Sequence, residues 1–447
     1  MVTVQQSTQH LPLGRVFIRG NLFMVYVISQ KNKPLMPCSN PIARLLLKQG
    51  RAKVKKREPF TIKLTYETTN YIQDLTLGVD TGSGTIGTAV SNDNSDIVYM
   101  SEVIVRNDIT NKITQRAKYR RNRRNRKTRY RKARWLNRAN SIRTDRFSPT
   151  MQSKLHSHVK EIEYIKSILP ITTTVFETGQ FDTHLMKNPS LANPKVKHWG
   201  YQKGTNYGFE NTKAMVLNRD NYTCQCCKGK HKDSKLEMHH IIFRSQGGSD
   251  EESNLITLCH TCHKDLHSGT INPKLKGKSK GNLKYATQMN FIRKQLLKLY
   301  PDAIETFGYV TKANRFVLGI DKEHYYDACT IATQGNIFNI KSNLYKKKCV
   351  SDGDFQKTKG IRSEQPIITD KICGFRKFDK VRYFGNNYFI KGRMSTGYAI
   401  LMDIEGNKAD FSAMPKGYKT PKMVKLKRME ARTTWMITTV EVTPNIA

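Results

Sequence analysis

Acidic side chains are scarce in this 447-residue sequence, with 36 Asp and Glu against 77 Lys and Arg, so the formal net charge is +41 at pH 7. Such an excess repels itself in a compact fold unless a polyanion neutralises it, which predicts a nucleic-acid partner. The sequence also lacks any run of roughly 18 apolar residues, the length that spans a bilayer. A transmembrane helix is therefore excluded, and attraction to an acidic lipid surface is the remaining membrane alternative.

Cysteine is too sparse and too irregular for a disulfide framework. The nine cysteines are an odd number, and four of them form two C-x2-C pairs, which favours a metal site in a reducing, cytoplasmic compartment. No secretory signal is recognisable, because Arg15 and Arg19 interrupt the apolar patch near the N-terminus and no small-residue cleavage site follows. We expect residues 1–23 to be a disordered extension, with Met24 as an alternative start.

The apolar content of 38% suits two to four globular domains, and the pattern of apolar runs indicates an α/β fold. Three runs between residues 73 and 108, separated by turn residues, predict an antiparallel meander whose first strand ends at Asp80. The later strand ITTTVFE ends at Glu177, and the helical segment KEHYYDACTIA carries His324 and Asp327. A basic run and a Cys/His block separate these pieces, so one α/β domain is split by insertions.

Asp80, Glu177 and Asp327 are candidates for a nuclease site with two Mg²⁺ ions, because two nearby cations need several carboxylates that converge from different elements. His324 precedes Asp327 by three residues, so both face the same side of a helix, where His324 could complete the metal shell or handle protons. Taken singly, an Asp that ends a strand is more often a turn residue or a helix cap than a catalytic residue. The loop GVDTGSG is a poor phosphate-binding loop, since it lacks the Lys-Ser/Thr pair and leads into a strand.

The Cys/His block combines a predicted zinc knuckle with a set of catalytic residue types. Cys224, Cys227, Cys259 and Cys262 provide the four thiolates of a tetrahedral structural Zn²⁺ site, with Cys226 as an adjacent alternative to Cys227. Between and after the knuckles, LEMHHIIFRSQGGSDEESNLITLCHTCH carries His239, His240, Asn254 and His263. A purely structural zinc ribbon accounts for the cysteines alone but leaves these residues unexplained.

Residues 115–138, QRAKYRRNRRNRKTRYRKARWLNR, form a basic run that needs phosphates to neutralise it. We expect Tyr119, Tyr130 and Trp135 to stack on bases. A disordered tract for localisation or non-specific binding is the alternative. The arginines expected to contact nucleic acid are Arg116, Arg120, Arg121, Arg123, Arg124, Arg126, Arg129, Arg131 and Arg134.

Several of these features resemble known families. The order of Asp80, Glu177, His324 and Asp327 resembles the RuvC branch of the RNase H fold, and the His-Asn-His pattern resembles HNH nucleases with their ββα-metal fold. That resemblance implies that His240 is the general base, that His239 and His263 bind one Mg²⁺, and that Asn254 fixes the loop. His267 is a further ligand in principle, but its place four residues after His263 favours the helix surface, and His260 is expected to be structural.

The whole order, from PLMP at residues 34–37 through the arginine-rich run to the inserted HNH block, resembles the IscB family, relatives of the type II CRISPR effectors. The basic run is similar to their bridge helix, and alternating runs after residue 345 resemble their β-rich domain that interacts with a motif flanking the target. A generic RNA-binding β-barrel is the alternative for that last domain. The expected divisions are an extension (1–23), a PLMP module (24–72), RuvC segment I (73–108), the bridge helix (109–145), RuvC segment II (146–198), the HNH domain (199–275), RuvC segment III (276–345) and the β-rich domain (346–447).

The IscB resemblance implies a prokaryotic, transposon-linked endonuclease that is guided by an omega-type RNA and acts as a monomer on double-stranded DNA. It further implies that the HNH centre cuts the guide-paired strand and the RuvC centre cuts the displaced strand, both by metal-activated water. Two alternatives remain open: an unguided nuclease that recognises DNA directly, and a binding protein without catalysis that acts by occupancy.

Overall fold

A computed structural model describes residues 24–69, 71–124, 147–204, 206–246, 248–272, 283–351, 355–357, 364–366, 371–415 and 418–442. The expected N-terminal extension (1–23) and the end of the basic run (125–146) lie outside these residues. The chain divides into a first unit, Met1–Gly179 with Phe291–Ala447, and a second unit, Gln180–Asn290. No helix in the described part of the chain has both the length and the apolar character that a bilayer crossing requires.

The N-terminal module is a four-stranded sheet with one helix. Its elements are β1 (Met24–Ile28), β2 (Pro34–Ser39), α1 (Asn40–Lys48), β3 (Ala52–Lys56) and β4 (Thr61–Leu64), with the strand order β2-β1-β4-β3. The PLMP sequence lies in β2. β2 is an edge strand, where a missing backbone N–H leaves no ladder bond unmade. α1 ends before Gly50. The backbone of Gly50 has a left-handed φ of 69°, which glycine adopts readily just after a helix.

The predicted meander and the strand that follows it are present. The elements are β5 (Leu75–Asp80), β6 (Thr85–Asn92), β7 (Asp96–Ile104), α2 (Ile109–Arg124), α3 (Pro149–Lys166) and β8 (Thr173–Thr178). The first three strands pair antiparallel, whereas β8 pairs parallel with β5. This parallel pairing places Asp80 in register with Glu177.

The second unit contains the Cys/His block. Its elements are α4 (Thr183–Lys187), α5 (Pro194–Gly200), α6 (Thr212–Arg219), β9 (Leu236–His240), β10 (Leu255–Cys259) and α7 (His260–Ser268). β9 and β10 form an antiparallel hairpin that packs with α7, which gives the expected two strands and a helix. The unit begins at residue 180 rather than 199. Its start is anchored by the Asn290 side chain, which bonds the backbone N–H and C=O of Phe181 at 2.9 and 2.7 Å.

The chain then returns to the first unit through a helix that spans the boundary between the units. The elements are α8 (Lys284–Leu299), β11 (Ile304–Phe307), α9 (Gly308–Val317), α10 (His324–Ala332), β12 (Asn339–Ile340), β13 (Leu344–Cys349), β14 (Phe355–Lys357), β15 (Glu364–Pro366), β16 (Lys380–Tyr383), β17 (Asn386–Arg393), β18 (Ala399–Met402), β19 (Lys427–Glu430) and β20 (Trp435–Val440).

Eight strands form the central mixed sheet, in the order β11-β8-β5-β6-β7-β13-β20 with β12 also paired to β7. α10 packs across β5 and β6, and two glycines permit this close approach. A Cβ atom at Gly78 would lie 2.5 Å from the Ala328 carbonyl oxygen, and one at Gly87 would lie 2.0 Å from that of His324. The start of α10 is therefore held directly over the end of β5.

The predicted boundary at residue 345 falls inside β13, which pairs with β7 and β20 in the central sheet. The β-rich segment is thus enclosed by two strands of that sheet, and its own four-stranded sheet has the order β18-β17-β16-β19. Sequence alternation could not assign β13, because Lys347 resembles an exposed position. It is instead fully buried, with Nζ 2.7 Å from Glu161 Oε1 and 2.6 Å from the Tyr99 hydroxyl.

Candidate functional sites

The first unit brings together the four residues predicted for the acidic centre. Asp80 ends β5, Glu177 lies beside it on β8, and α10 begins with His324. His324 Nδ1 lies 2.6 Å from Asp80 Oδ2, and this hydrogen bond raises the pKa of His324 above its usual range. Burial and, after it, the charge of Asp80 raise the pKa of both the Glu177 and the Asp327 carboxyl, so all three carboxylates belong to one electrostatic centre.

The environment of Glu177 suits a carboxylate that binds a cation. Burial, followed by the nearby charge of Asp80, raises its pKa to about 7. Its Oε2 atom is buried with no hydrogen-bond partner, which is costly for a carboxylate unless a cation or proton compensates. Carboxylate oxygens are the donors that Mg²⁺ prefers, so these residues fit the expected metal.

Asp327 differs from the expectation in one respect, because its carboxylate is paired with Arg315 of α9. Arg315 Nη1 lies 3.1 Å from Asp327 Oδ1, and both side chains are largely buried. Within the described residues, the ligand atoms of the acidic centre do not all approach within 4.8 Å of one another, as those of the Cys and His clusters do. Mutual repulsion of like charges and the attraction of Arg315 account for this wider spacing.

α3 supports the loop after Asp80, a contact that the sequence did not predict. The Lys154 ammonium donates to the carbonyl oxygen of Ser83, and His158 donates its Nδ1 proton to the carbonyl oxygen of Lys154 at 2.9 Å. His158 is fully buried, and this burial lowers its pKa to about 4. Only the long-range packing of α3 against the sheet reveals this support, so residue spacing offered no signal.

The second unit holds the four predicted zinc ligands as one cluster. The Sγ atoms of Cys224, Cys227, Cys259 and Cys262 all lie within 4.8 Å of one another, whereas Cys226 is not in the set. The donor set fits a structural Zn²⁺ site. His231, which sequence reasoning did not select, places Nδ1 3.5 Å from Cys262 Sγ and 3.7 Å from Cys259 Sγ. It supplies the outer contact that thiolate ligands commonly receive.

A second cluster consists of three imidazoles. His239 ends β9, while His263 and His267 lie one turn apart on α7, and their ligand nitrogens lie within 4.8 Å of one another. Burial and the neighbouring imidazoles lower the pKa of His239 to about 4, and its Nε2 atom is buried without a partner. His267 is exposed, as predicted, but it also belongs to the cluster. A set of three nitrogens without a carboxylate fits a transition-metal ion better than the expected Mg²⁺.

Glu237 orients one of these imidazoles. Its Oε2 atom lies 2.6 Å from Nδ1 of His263, on the opposite side of the ring from the nitrogen that faces the cluster. A carboxylate behind a histidine fixes the ring and its tautomer for metal binding. Glu237 lies two residues before His239 on the same strand, and this period-two spacing is the signal that could have identified it.

His240 ends β9, and Asn254 lies in the connection that leads to β10. The Asn254 side chain is buried and accepts from the Ile242 N–H at 2.8 Å, while its own amide donates to the carbonyl oxygens of Ile242 and Ser249. His240 Nε2 donates to Asp250 Oδ1 at 2.7 Å. Its Nδ1 atom is then the nitrogen that can accept a proton from water.

The basic run begins as helix α2, and its described side chains divide into two groups. Arg116, Arg120 and Arg121 are exposed, which suits phosphate contact. Tyr119 is only 5% exposed and accepts a hydrogen bond from Gln115 at 2.8 Å, so it packs inward and the expectation of base stacking there was wrong. The side chains of Arg123 and Arg124 and all of Arg126, Arg129, Tyr130, Arg131, Arg134 and Trp135 lie outside the described residues.

Comparison with known proteins identifies two domains. A family model described as RRXRR protein matches residues 25–204, and the HNH endonuclease model matches residues 224–269. Anaredoxin of Nostoc sp. is 38% identical over 65 residues, which are 14% of this chain and 83% of anaredoxin. The type IV methyl-directed restriction enzyme EcoKMcrA of Escherichia coli K12 is 37% identical over 62 residues, which are 12% of this chain and 22% of that enzyme.

Among solved structures, the crystal structure of Streptococcus thermophilus Cas9 in complex with the AGAA PAM aligns with 57% of this chain and 32% of that chain. The TM-score is 0.32 and the identity is 11%. The chain thus spans less than a third of EcoKMcrA and about a third of Cas9. One polypeptide therefore carries both an RRXRR domain and an HNH endonuclease domain.

Proposed function

The chain joins an RRXRR domain to an HNH endonuclease domain, and on this premise we propose that it is an IscB-type nuclease, an RNA-guided endonuclease of double-stranded DNA. One observation carries the proposal: two chemically different clusters lie in separate units of one strongly basic chain. The first is acidic, around Asp80 and Glu177, and the second is the imidazole cluster with His240 beside it. Two clusters of this kind suit the cutting of two strands.

In the HNH centre, His240 is the general base that takes a proton from the attacking water. Asp250 holds its Nε2–H, and Asn254 holds the loop between the two strands, so the Nδ1 atom is directed at a fixed position. His239, His263 and His267 would hold one divalent ion, which stabilises charge on the scissile phosphate when bound. We assign cleavage of the guide-paired strand to this centre.

In the acidic centre, Asp80, Glu177 and Asp327 would hold the two Mg²⁺ ions of a RuvC-type nuclease, which activate water and stabilise the leaving oxygen when bound. His324, fixed by Asp80, handles the proton at the end of β5. Arg315 pairs with Asp327, so that carboxylate must exchange this partner for a metal ion if it is to act as a ligand. We assign cleavage of the displaced strand to this centre, within an RNase H-like sheet divided by the basic helix and the second unit.

An omega-type guide RNA is the proposed partner of the exposed arginines of α2, and the C-terminal β-rich segment is the proposed reader of a motif that flanks the target. The charge of +41 supports a large polyanionic partner, although charge alone does not distinguish RNA from DNA. The protein is proposed to act as one copy per ribonucleoprotein.

The decisive experiment is to purify the protein from cells that express its native locus and to sequence the RNA that accompanies it. A single abundant structured RNA with a variable end is expected, and adding it should make cleavage specific for DNA that matches this end. Cleavage of DNA by RNA-free protein would instead identify an unguided HNH nuclease. Binding without cleavage in any divalent ion would identify a protein that acts by occupancy.

A further inference from the structure

One face of helix α9 lies against the carboxylates of the acidic centre. Gly308, Thr311 and Arg315 have the spacing of three, then four, residues that places side chains on one side of a helix. A Cβ atom at Gly308 would lie 3.1 Å from Glu177 Oε1, and the buried Thr311 hydroxyl hydrogen-bonds the same carboxylate. Arg315 Nη1 lies 3.1 Å from Asp327 Oδ1. The position of α9 relative to the acidic centre is therefore fixed along the length of the helix.

The neighbouring face of α9 carries two exposed aromatic rings and a lysine. Tyr309, Lys312 and Phe316 each follow a residue of the first face by one position, so they are rotated from it by about 100° around the helix. We call these three residues the α9 surface. Tyr309 is 73% exposed, Phe316 is 87% exposed, and Lys312 is exposed between them. Exposed apolar side chains gathered on one face, here beside a candidate catalytic centre, indicate a contact with a ligand or partner.

The first ring of the α9 surface is held by the central sheet. Phe307 ends β11 and is paired in register with Thr178, the residue after Glu177 on β8. The rings of Phe307 and Tyr309 are nearly parallel, with 6.0 Å between their centres and 7° between their planes. Tyr309 is therefore preorganised beside the acidic centre, which lowers the entropic cost of binding a ligand.

The charge and the length of the α9 surface suit single-stranded nucleic acid. From residue 306 to residue 320 the sequence contains one lysine and one arginine but no aspartate or glutamate. An acidic peptide would leave the rings uncovered, and the bases of a duplex are already stacked on one another. Unpaired bases stack on aromatic rings while the backbone phosphates contact the lysine. The seven residues from Tyr309 to Phe316 span about 10 Å, which is about the length of three stacked nucleotides.

We propose that the α9 surface binds bases of the unpaired DNA strand that the acidic centre cuts, beside the scissile phosphate. This inference rests on the proposed function, in which the guide displaces that strand and leaves its bases unpaired, and it adds a positioning site to the acidic centre. Every base has a face that can stack, so the surface positions the strand without selecting its sequence.

A target DNA whose displaced strand is permanently unpaired, by mismatches, tests the proposal. The Tyr309→Ala/Phe316→Ala double variant should cut that strand about tenfold or more slowly at subsaturating DNA, while the guide-paired strand is cut at the normal rate. Tyr309→Phe keeps the ring and should keep the rate. Tyr71→Ala, which removes an 87% exposed ring elsewhere in the first unit, is the matched control. Equal rates for the double variant and this control would overturn the proposal.

Abasic nucleotides distinguish base stacking from a structural effect of the substitutions. Displaced strands are prepared with three consecutive abasic nucleotides at successive positions. At one position the wild-type protein should be slowed as much as the double variant is on intact DNA, and the double variant should be slowed no further, because the interaction is already lost. If the double variant is slower than the wild-type protein by the same factor on every strand, the rings only support the fold and the proposal is wrong.

The guide-paired strand, labelled in the same reactions, reports the proposed function separately. If its cutting requires matching RNA while the displaced strand is insensitive to the two rings, only the inference about the α9 surface fails. If neither cut depends on RNA, the guided function fails. The abasic series on single-stranded DNA without RNA then decides the stacking proposal by the same comparison of the double variant with the wild-type protein.

Discussion

His324 Nδ1 lies 2.6 Å from Asp80 Oδ2, although 244 residues separate the two side chains along the sequence. The contact joins the end of β5 to the start of α10, and it exists because the glycines beneath the helix allow the close approach. Neither residue is informative alone. Because the two side chains are in contact, the acidic centre is assembled from the end of β5 and the start of α10.

The two centres should be separable by single substitutions. Asp80→Asn should abolish cutting of the displaced strand and leave a nick in the guide-paired strand, while His240→Ala should do the reverse. Losses of at least about a hundredfold are expected, as is usual when a general base is removed. Strand-specific labels on plasmid or oligonucleotide DNA measure this, with the exposed Asp93→Asn as control. Loss of both cuts in either variant would contradict the assignment of one DNA strand to each centre.

The HNH centre should prefer a different metal from the acidic centre. Three imidazole nitrogens bind first-row ions such as Ni²⁺, and more weakly Mn²⁺, in preference to Mg²⁺, whereas the carboxylates of the acidic centre suit Mg²⁺. Cutting of the guide-paired strand should therefore be faster in Mn²⁺ than in Mg²⁺ at equal low concentration. His267→Ala should raise the Mn²⁺ concentration needed for half-maximal cutting of the guide-paired strand more than tenfold. Replacement of the exposed His156 by alanine should leave that concentration unchanged. An unchanged metal titration for His267→Ala would exclude it as a ligand.

Loss of a zinc ligand should unfold the second unit. Structural zinc contributes roughly 10–16 kcal/mol at neutral pH in small domains, so Cys224→Ser should abolish zinc binding and HNH cutting together. Cys226→Ser is the matched control, because Cys226 lies beside the cluster but outside it. Zinc content by mass spectrometry and protease sensitivity of residues 180–290 report the result. Zinc retained by Cys224→Ser at full stoichiometry would contradict the assignment.

His158 should make the metal-free protein sensitive to mild acid. Burial lowers its pKa from 6.5 to about 4, so the unfolded chain binds a proton between these values while the folded chain does not. The contribution of His158 to the free energy of unfolding is fully present above pH 6.5. It declines as the pH falls toward 4, by on the order of 3 kcal/mol. His158→Asn keeps a donor but cannot titrate, and its unfolding free energy, measured by urea titration with chelator, should vary less over that range. The same slope in both proteins would assign the acid sensitivity elsewhere.

The exposed arginines of α2 should contribute to RNA affinity through phosphate contacts. Replacing Arg116, Arg120 and Arg121 together by alanine should weaken binding and reduce the slope of log affinity against log salt by about one unit for each lost contact. Filter binding at several salt concentrations measures both quantities. Lys31→Ala is the control, because Lys31 is engaged in a surface ion pair with Glu67. An unchanged slope would show that α2 does not contact phosphate.

Sequence patterns predicted the parts of the fold that depend on local order. The meander, the strand that carries Glu177 and the helix that carries His324 were recoverable because apolar runs of the right period lie between clear turns. The zinc cysteines were equally accessible, since C-x2-C spacing is set by the geometry of one ion. Each of these signals is confined to a few consecutive residues.

The remaining features depend on contacts between distant segments. Tyr119 lies in a strongly basic run, yet its side chain is buried. Lys347 is a charged residue that would be expected at the surface, but it is buried and forms an ion pair with Glu161. The role of His267 required the position of α7 against β9, which places three rings together. The burial of such residues depends on contacts with segments far away in the sequence. Local sequence patterns do not predict those contacts.

Cys349 and Trp435 face each other as paired residues where β13 and β20 begin their ladder, with 85 residues between them. The described strands between these two positions, β14 to β19, pair among themselves and not with the central sheet. Asp80 ends β5, which pairs with β8 and β6 and not with β13 or β20, so a change in the length of the insert leaves the strand pairings around Asp80 unchanged. Under the proposed function, changes in the recognised flanking motif can therefore accumulate in that insert while the acidic centre keeps its arrangement.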